Sequence, residues 1–312
     1  MARPEKLKII LAGGSGFLGQ SLAHSFIGDG YEVVVLGRKY KGNNNFAGRF
    51  VEWDAKTLSD WSKELEGADA LFNLTGRSVD CRYTKKNREL ILNSRIDSTR
   101  VLGEAIKQCE KSPKVWFNAS TATIYRDLRG DTPPHDESSK TNAPGFSEDV
   151  GRAWEEEFFK QARDGVRQVS LRISIVLGEG GGAFPVIKRF TQLGLGGTQG
   201  PGSQWMSWLH LDDWVGIAKF LIKKDSIEGP VNLAAPYPVT NGEFMKEMRE
   251  CFAPLGIGFP APTPAVYLGA FFMGTAPELV LKSRKVVSKV LKNMGYDFNH
   301  LKLRGAIGQL SR

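Results

Sequence analysis

Lys6-Leu7-Lys8-Ile9-Ile10-Leu11-Ala12 runs without a break into Gly13-Gly14-Ser15-Gly16-Phe17-Leu18-Gly19. The first seven residues form a short apolar run rich in Ile and Leu, suited to a buried strand. Beyond the glycines, residues 20–27 read as a helix with Leu22, Ala23 and Phe26 on its inner face. Gly28-Asp29-Gly30 stops that helix, and residues 32–36 (EVVVL) are a second buried strand. Strand, glycine turn, helix, turn and strand make one βαβ unit.

Within the turn, Gly14-x-Gly16-x-x-Gly19 and the wider Gly13-x-x-Gly16-x-x-Gly19 both fit a dinucleotide fingerprint. One glycine allows the tight turn, one lets a pyrophosphate approach the backbone, and the third lets helix and sheet pack closely. The helix N-terminus adds free N–H groups and a positive dipole end. A glycine loop alone is often only a turn; this one follows a strand and opens a helix, as the fingerprint demands. NAD binders carry an acidic residue at the end of the second strand, for the ribose 2′-hydroxyl. Here that place holds Gly37-Arg38-Lys39. A guanidinium suits a 2′-phosphate, so the expected cofactor is NADP(H).

The alternation continues through strands at residues 49–53, 69–74, 114–119 and 168–175, with helical segments near 58–65, 85–109 and 148–162. This pattern predicts an α/β fold, a doubly wound parallel Rossmann-type sheet with a smaller C-terminal substrate lobe. Residues 1–178 are expected to form the NADP-binding Rossmann domain and 179–312 the substrate-cleft lobe, with later returns of the chain to the sheet allowed. In that second part, the glycines at 194–202 suggest a mobile segment over the substrate cleft. Gly42-Asn43-Asn44-Asn45 reads as a surface loop.

Composition narrows the partners. The 312 residues hold 42 Lys+Arg against 34 Asp+Glu, a net charge of +8 that calls for an anion. The basic residues are spread along the chain and interleave with no recognition motif, which argues against nucleic acid. The longest apolar stretch, residues 265–273, is far short of a membrane span. No apolar signal core precedes the first strand, and three scattered cysteines read as reduced thiols, so the expected setting is cytoplasmic. The expected partner is a small-molecule substrate, a nucleotide sugar or other anionic carbonyl compound. A homodimer is kept as an option.

Further motifs follow in a telling order: Asn73-Leu74-Thr75-Gly76, Ser94-Arg95-x-x-x-Thr99, Ser120-Thr121-x-x-x-Tyr125 and Trp154-Glu155. After them come Leu171-Arg172-x-x-x-Val176-Leu177-Gly178, Gly180-Gly181-Gly182, Ser207-Trp208-Leu209-His210-x-Asp212-Asp213 and residues 285–296 (KVVSKVLKNMGY). With these, nearly the whole chain resembles the extended short-chain dehydrogenase/reductases, the nucleotide-sugar epimerases and dehydratases. More closely it resembles an atypical epimerase-like branch that ends in a small extra domain. The resemblance implies that Leu74, Thr75 and Gly76 line the nicotinamide half of the cleft. It also places Thr121 where a catalytic Ser/Thr hydroxyl polarises a substrate oxygen.

One departure stands out. The family's Tyr-x-x-x-Lys pair would fall at Ser147 and Gly151, and no such pair occurs anywhere in the sequence. Neither residue can do the proton transfer. Tyr125 is a candidate replacement acid and Thr121 a candidate substrate-binding hydroxyl; packing and capping are their structural alternatives. Arg95 is a candidate cofactor contact or substitute positive charge. The basic stretch from Arg77 to Lys86, around Cys81 and Tyr83, reads as an anion site or a solvated loop. His210 reads as structural, His24, His135 and His300 as partnerless, and Asp136-Glu137 as an exposed loop or lid. Two functions stay open: an NADP-dependent epimerase-like oxidoreductase with a non-standard proton donor, or a non-catalytic NADP(H)-binding regulatory or structural protein.

Overall fold

Ile9 and Leu11 pack on one side of the central sheet and Ile10 and Ala12 on the other, all fully buried. A strand covered on both faces needs such continuous apolar sequence. The computed structural model describes residues 6–39 and 46–311; residues 1–5 and the 42–45 glycine–asparagine patch lie outside the described residues. The first half runs β1 (Lys8–Ala12), α1 (Phe17–Gly28), β2 (Glu32–Gly37), β3 (Arg49–Glu52), β4 (Ala70–Asn73), α2 (Lys85–Gln108), β5 (Val115–Thr121), α3 (Phe146–Lys160) and β6 (Arg167–Ile173). Next come β7 (Ile175–Leu177), α4 (Phe184–Phe190), β8 (Trp205–Met206), β9 (Trp208–His210), α5 (Leu211–Lys223) and β10 (Gly229–Leu233). The chain ends with β11 (Val239–Thr240), α6 (Asn241–Phe252), α7 (Thr263–Met273), α8 (Glu278–Leu281), α9 (Lys289–Asn293) and α10 (Leu303–Gln309).

Among the described residues, seven strands form one parallel sheet in the order β10-β6-β5-β4-β1-β2-β3. Leu22 and Phe26 of α1 and Trp214, Ile217 and Leu221 of α5 cover one face. Val101, Leu102 and Ile106 of α2 and Phe158 of α3 cover the other. The sheet is therefore doubly wound and of Rossmann type. Strand order reverses between β1 and β4, and the crevice beyond the strand ends at that switch point is where such sheets bind ligands. A separate apolar core joins Leu177, Phe184 and Trp208 to Phe244 and Met248 of α6 and Leu303 and Ile307 of α10.

Two features refine the sequence reading and a third differs from it. β10 adds a further strand beside β6; at five residues beginning Gly-Pro, it carries little strand signal of its own. The segment near 58–65 is a 3-10 helix, Asp60–Leu65. The glycine-rich stretch at 194–202 is tied down rather than loose. Phe259 N–H donates to Gly194 O at 2.8 Å, Ala261 N–H to Thr198 O at 2.8 Å and Gly200 N–H to Ala261 O at 2.8 Å. A Cβ on Gly197 would lie 2.4 Å from the Phe259 backbone, so glycine here permits backbone contact.

Candidate functional site

The glycine turn is built by exclusion of side chains. Gly13 has φ +72°, and a Cβ there would meet Thr75 at 2.8–2.9 Å. A Cβ on Gly19 would lie 2.4 Å from Gly14 Cα, so α1 can press onto the turn only with glycine at both places. Gly16 is different: its nearest neighbour would be 3.9 Å away, leaving open space above the backbone. Ser15 and Gly16 are exposed. Gly16 caps α1 with no side-chain bond, and the first turn of α1 carries no acidic residue. Its N–H groups and dipole are thus left for an anion. Gln20 braces the turn, donating to Gly14 O at 2.9 Å.

The neighbouring residues complete a crevice. The Phe17 ring packs against the 178–182 glycine run, where a Cβ on Gly178 would reach it at 2.8 Å and one on Gly181 at 3.0 Å. Leu18 O accepts from Trp214 Nε1 at 3.1 Å, which fastens α1 to α5. Gly37 closes β2 against Phe50, and Arg38 is exposed just beyond it. Leu74, Thr75 and Gly76 follow β4 on the other side of the switch point. Thr75 Oγ1 is buried and has no hydrogen-bond partner. An unpaired buried hydroxyl facing the glycine turn, with the open cradle at Gly16, fits a dinucleotide. Below it Asn73 donates to Asn118 Oδ1 at 2.7 Å, and Trp154 Nε1 to Thr99 Oγ1 at 3.1 Å.

Arg95 belongs to this wall. Its guanidinium lies 4.9 Å from the Trp154 ring centre and would meet a Cβ on Gly76 at 3.1 Å. It donates to Ile91 O at 2.9 Å and Arg77 O at 3.1 Å. Burial pulls its pKa down to about 10, partly opposed by Tyr83. It makes no carboxylate pair among the described residues, so its charge is held against the crevice wall.

Thr121 and Tyr125 part company. Thr121 ends β5 half-buried, and its Oγ1 accepts from Thr123 N–H at 3.1 Å. A Cβ on Gly151 would lie 3.2 Å from Thr121 Cγ2, so the missing lysine's place is occupied by packing. Tyr125, by contrast, is 2% exposed. Its hydroxyl donates to Asn232 Oδ1 at 2.8 Å and accepts from Arg172 at 2.7 Å. Arg172 also pairs in fork fashion with Glu155, at 2.8 and 2.7 Å, and Ser120 and Ser170 both donate to Glu155 at 2.8 Å. With both its hydrogen-bonding capacities spent inside the core, Tyr125 is a packing residue and not a free acid.

A cleft of about 500 Å³ opens between the loop before α2 and the C-terminal helices, lined by Arg82, Tyr83, Arg88, Tyr267, Glu278 and Lys282 among others. Arg82 stacks 4.5 Å over Phe271 and donates to its carbonyl at 2.7 Å, but most of the 77–86 stretch is exposed, as a solvated loop would be, with only Cys81 and Tyr83 half-buried. Ser147, at the missing tyrosine's place, donates to Glu278. Glu148 is 2% exposed and takes a 2.6 Å bond from Lys282. Arg284 donates to Thr123 Oγ1 at 3.2 Å; burial lowers its pKa to about 10 against the opposing charges of Glu148 and Glu278. Tyr83, Glu278, Lys282 and Arg284 carry no motif linking them in sequence. Only Tyr83's place in the basic stretch hinted at a role.

A family model for the NAD dependent epimerase/dehydratase family matches residues 9–234. The chain belongs to that family. A second model, a domain of unknown function called DUF1731, matches residues 261–310. The epimerase family protein YfhF of Bacillus subtilis is 30% identical over 305 residues, covering 97% of this chain and 98% of its own length. Among solved structures, the human epimerase family protein SDR39U1 with NADPH is 27% identical, with a TM-score of 0.84 over 98% of this chain and 99% of that one. A nucleoside-diphosphate sugar epimerase from Corynebacterium glutamicum is 28% identical, with a TM-score of 0.77 over 98% of this chain and 59% of that one.

The remaining sequence candidates of this epimerase-family chain find structural partners. His210 is 1% exposed; its Nδ1 accepts from Asp212 N–H at 3.1 Å, which places the ring proton on Nε2, 3.0 Å from Gln309 Oε1. His300, expected to be partnerless, stacks on His210 with ring centres 3.8 Å apart and contacts Asp212 at 3.2 Å. These three could surround an ion, but His210 already commits both nitrogens to hydrogen bonds. His24 and His135, also expected to be partnerless, both have partners, His135 by stacking on Tyr125 at 4.9 Å. Glu137 is a structural tie: it accepts from Asn232 N–H at 3.0 Å, Ser288 at 2.6 Å and Lys289 N–H at 2.8 Å, joining β10 to α9.

Proposed function

We propose that this chain is an NADP(H)-dependent, epimerase-like oxidoreductase acting on a small anionic carbonyl compound of the nucleotide-sugar class. The observation that carries the cofactor reading is the end of β2. Arg38 stands there exposed beside Lys39, with no carboxylate to hold a ribose 2′-hydroxyl or repel a 2′-phosphate. The glycine turn and uncapped α1 N-terminus would hold the pyrophosphate. Leu74, Thr75 and Gly76 would line the nicotinamide, with Arg95 as the nearby cation. When bound, the reduced nicotinamide supplies a hydride. Thr121 would orient the substrate oxygen, while Arg82, Arg88 and Lys282 at the cleft suit an anionic substrate. The NADPH found with the human relative supports the same cofactor. Cys81, Cys109 and Cys251 as free thiols support a cytoplasmic setting.

A second reading, NADP(H) binding without turnover, draws on Ser147 and Gly151 standing where the Tyr and Lys would be. Two measurements separate the possibilities. Arg38→Ala should weaken NADPH far more than NADH; equal loss of both refutes the 2′-phosphate role. Wild-type protein should oxidise NADPH with phenanthrenequinone or a UDP-ketosugar. Bound NADPH that stays unoxidised across such a panel assigns the chain to the second reading.

A further inference from the structure

The Tyr83 hydroxyl is buried and makes no well-formed hydrogen bond, although Ser147 lies close enough to weigh on its acidity. Native proteins rarely leave such a group unpaired, because it gives up its bonds to water and gains none. Its surroundings suggest what it is kept for. Tyr83 lies in the loop after β4, just before the Thr84 cap of α2. Its ring packs edge-on against Phe146, with centres 5.0 Å apart, next to the residue that replaces the missing tyrosine. It lines the cleft together with Glu278, and Glu278 holds the Ser147 proton.

We propose that Tyr83, reaching in from the loop before α2, supplies the acidic hydroxyl that Ser147 cannot, and protonates the substrate oxygen. This rests on the oxidoreductase reading above. As a hydride from the reduced nicotinamide reaches the carbonyl carbon, the C=O π pair moves to oxygen. That oxygen takes the Tyr83 proton, forming an alcohol and leaving a phenolate. Water in the cleft then returns a proton to the phenolate. The charges needed are present: Arg95 interacts with Tyr83, and Arg284 sits within electrostatic reach of it. Of these buried guanidinium groups, Arg95 favours the phenolate, but burial and Glu278 outweigh it. Burial, with Glu278 adding to it, pushes the Tyr83 pKa up to about 12. A hydroxyl so disposed is fully protonated at neutral pH and acts as a donor, not as a base.

Tyr83→Phe tests this with two readouts. Removing a buried hydroxyl that makes no well-formed bond should leave Tm nearly unchanged. NADPH affinity, followed by nicotinamide fluorescence, should stay within threefold, while turnover of phenanthrenequinone or a UDP-ketosugar falls by about a hundredfold or more. A drop in Tm of several degrees would mark the hydroxyl as structural and overturn the proposal. So would turnover that survives Tyr83→Phe, above all if Ser147→Ala abolishes it. Wild-type protein that binds NADPH but reduces none of the probes sinks the oxidoreductase reading itself, and the donor role with it.

Discussion

Ser147 donates its hydroxyl proton to Glu278, which ties the first turn of α3 to the start of α8. The bond crosses from the Rossmann sheet's own helix to the C-terminal segment, whose Glu278 also lines the cleft. Beside it Glu148 and Lys282 make a second, ionic tie. Ser147→Ala should therefore cost about 1–2 kcal/mol of stability, measured by urea denaturation. It should also increase protease sensitivity of the 263–282 segment, because one of the two ties to α3 is lost.

Two glycines in the same turn should respond differently to one methyl group. On Gly19 it would strike Gly14 backbone at 2.4 Å, so Gly19→Ala should lose about 1–3 kcal/mol of stability. On Gly16 it meets only open space, so Gly16→Ala should fold with a Tm near wild type. Both should lose NADPH affinity in a fluorescence titration, Gly16→Ala by filling the cradle itself.

Thr75→Val replaces a buried hydroxyl that lacks a partner with a methyl of the same shape. Stability should hold or rise by up to about 1 kcal/mol. NADPH affinity should fall about tenfold if the hydroxyl bonds the nicotinamide half. An unchanged dissociation constant would remove Thr75 from the cofactor site.

Glu155→Gln would leave the Arg172 guanidinium buried without a counter-charge. Burial alone pulls Arg172 down, but its bonds and charge interactions with Glu155 and Tyr125 win and hold its pKa raised. Breaking one side of such a pair costs about 3–5 kcal/mol, readable as a large drop in Tm. Because the network lies under β5 and β6, cofactor affinity should fall only as far as folding does.

His210 gives a pH dependence with a definite sign. Burial first, and then the neighbouring His300, lower its pKa below the ordinary 6.5. Its unfolded form therefore binds a proton at a higher pH than the folded form does. The stabilisation is fully present above the unfolded value and is lost as pH falls through it, because a proton on Nδ1 breaks the bond to Asp212 N–H that caps α5. Tm should decline between about pH 7 and about pH 5 in wild type, and the decline should be shallower in His210→Gln.

The β1–α1–β2 unit was legible in the sequence because every signal in it is local. A buried strand, a turn that excludes Cβ atoms and a helix face are each written within a few neighbouring residues. The Arg38 position and the missing Tyr-x-x-x-Lys pair were legible for the same reason. β10 was not, since five residues opening on Gly-Pro become a strand only by pairing with β6. Nor could spacing show that the glycines at 194–202 are needed for contact with residues 259–261. Tyr125 looked available because it follows β5, yet the tertiary fold turns its hydroxyl to Arg172 and Asn232.

The sequence by itself determined a parallel α/β sheet, a dinucleotide turn and the absence of any Tyr-x-x-x-Lys pair. Tertiary structure decided which side chains surround that gap. Tyr83, Ser147, Glu278, Lys282 and Arg284 come from three separate stretches and meet only when the C-terminal segment closes over α3. Hydrogen bonds and charge act through a few ångströms of space, whereas periodicity and motif act along the chain. A site assembled from distant segments is therefore written in the packing.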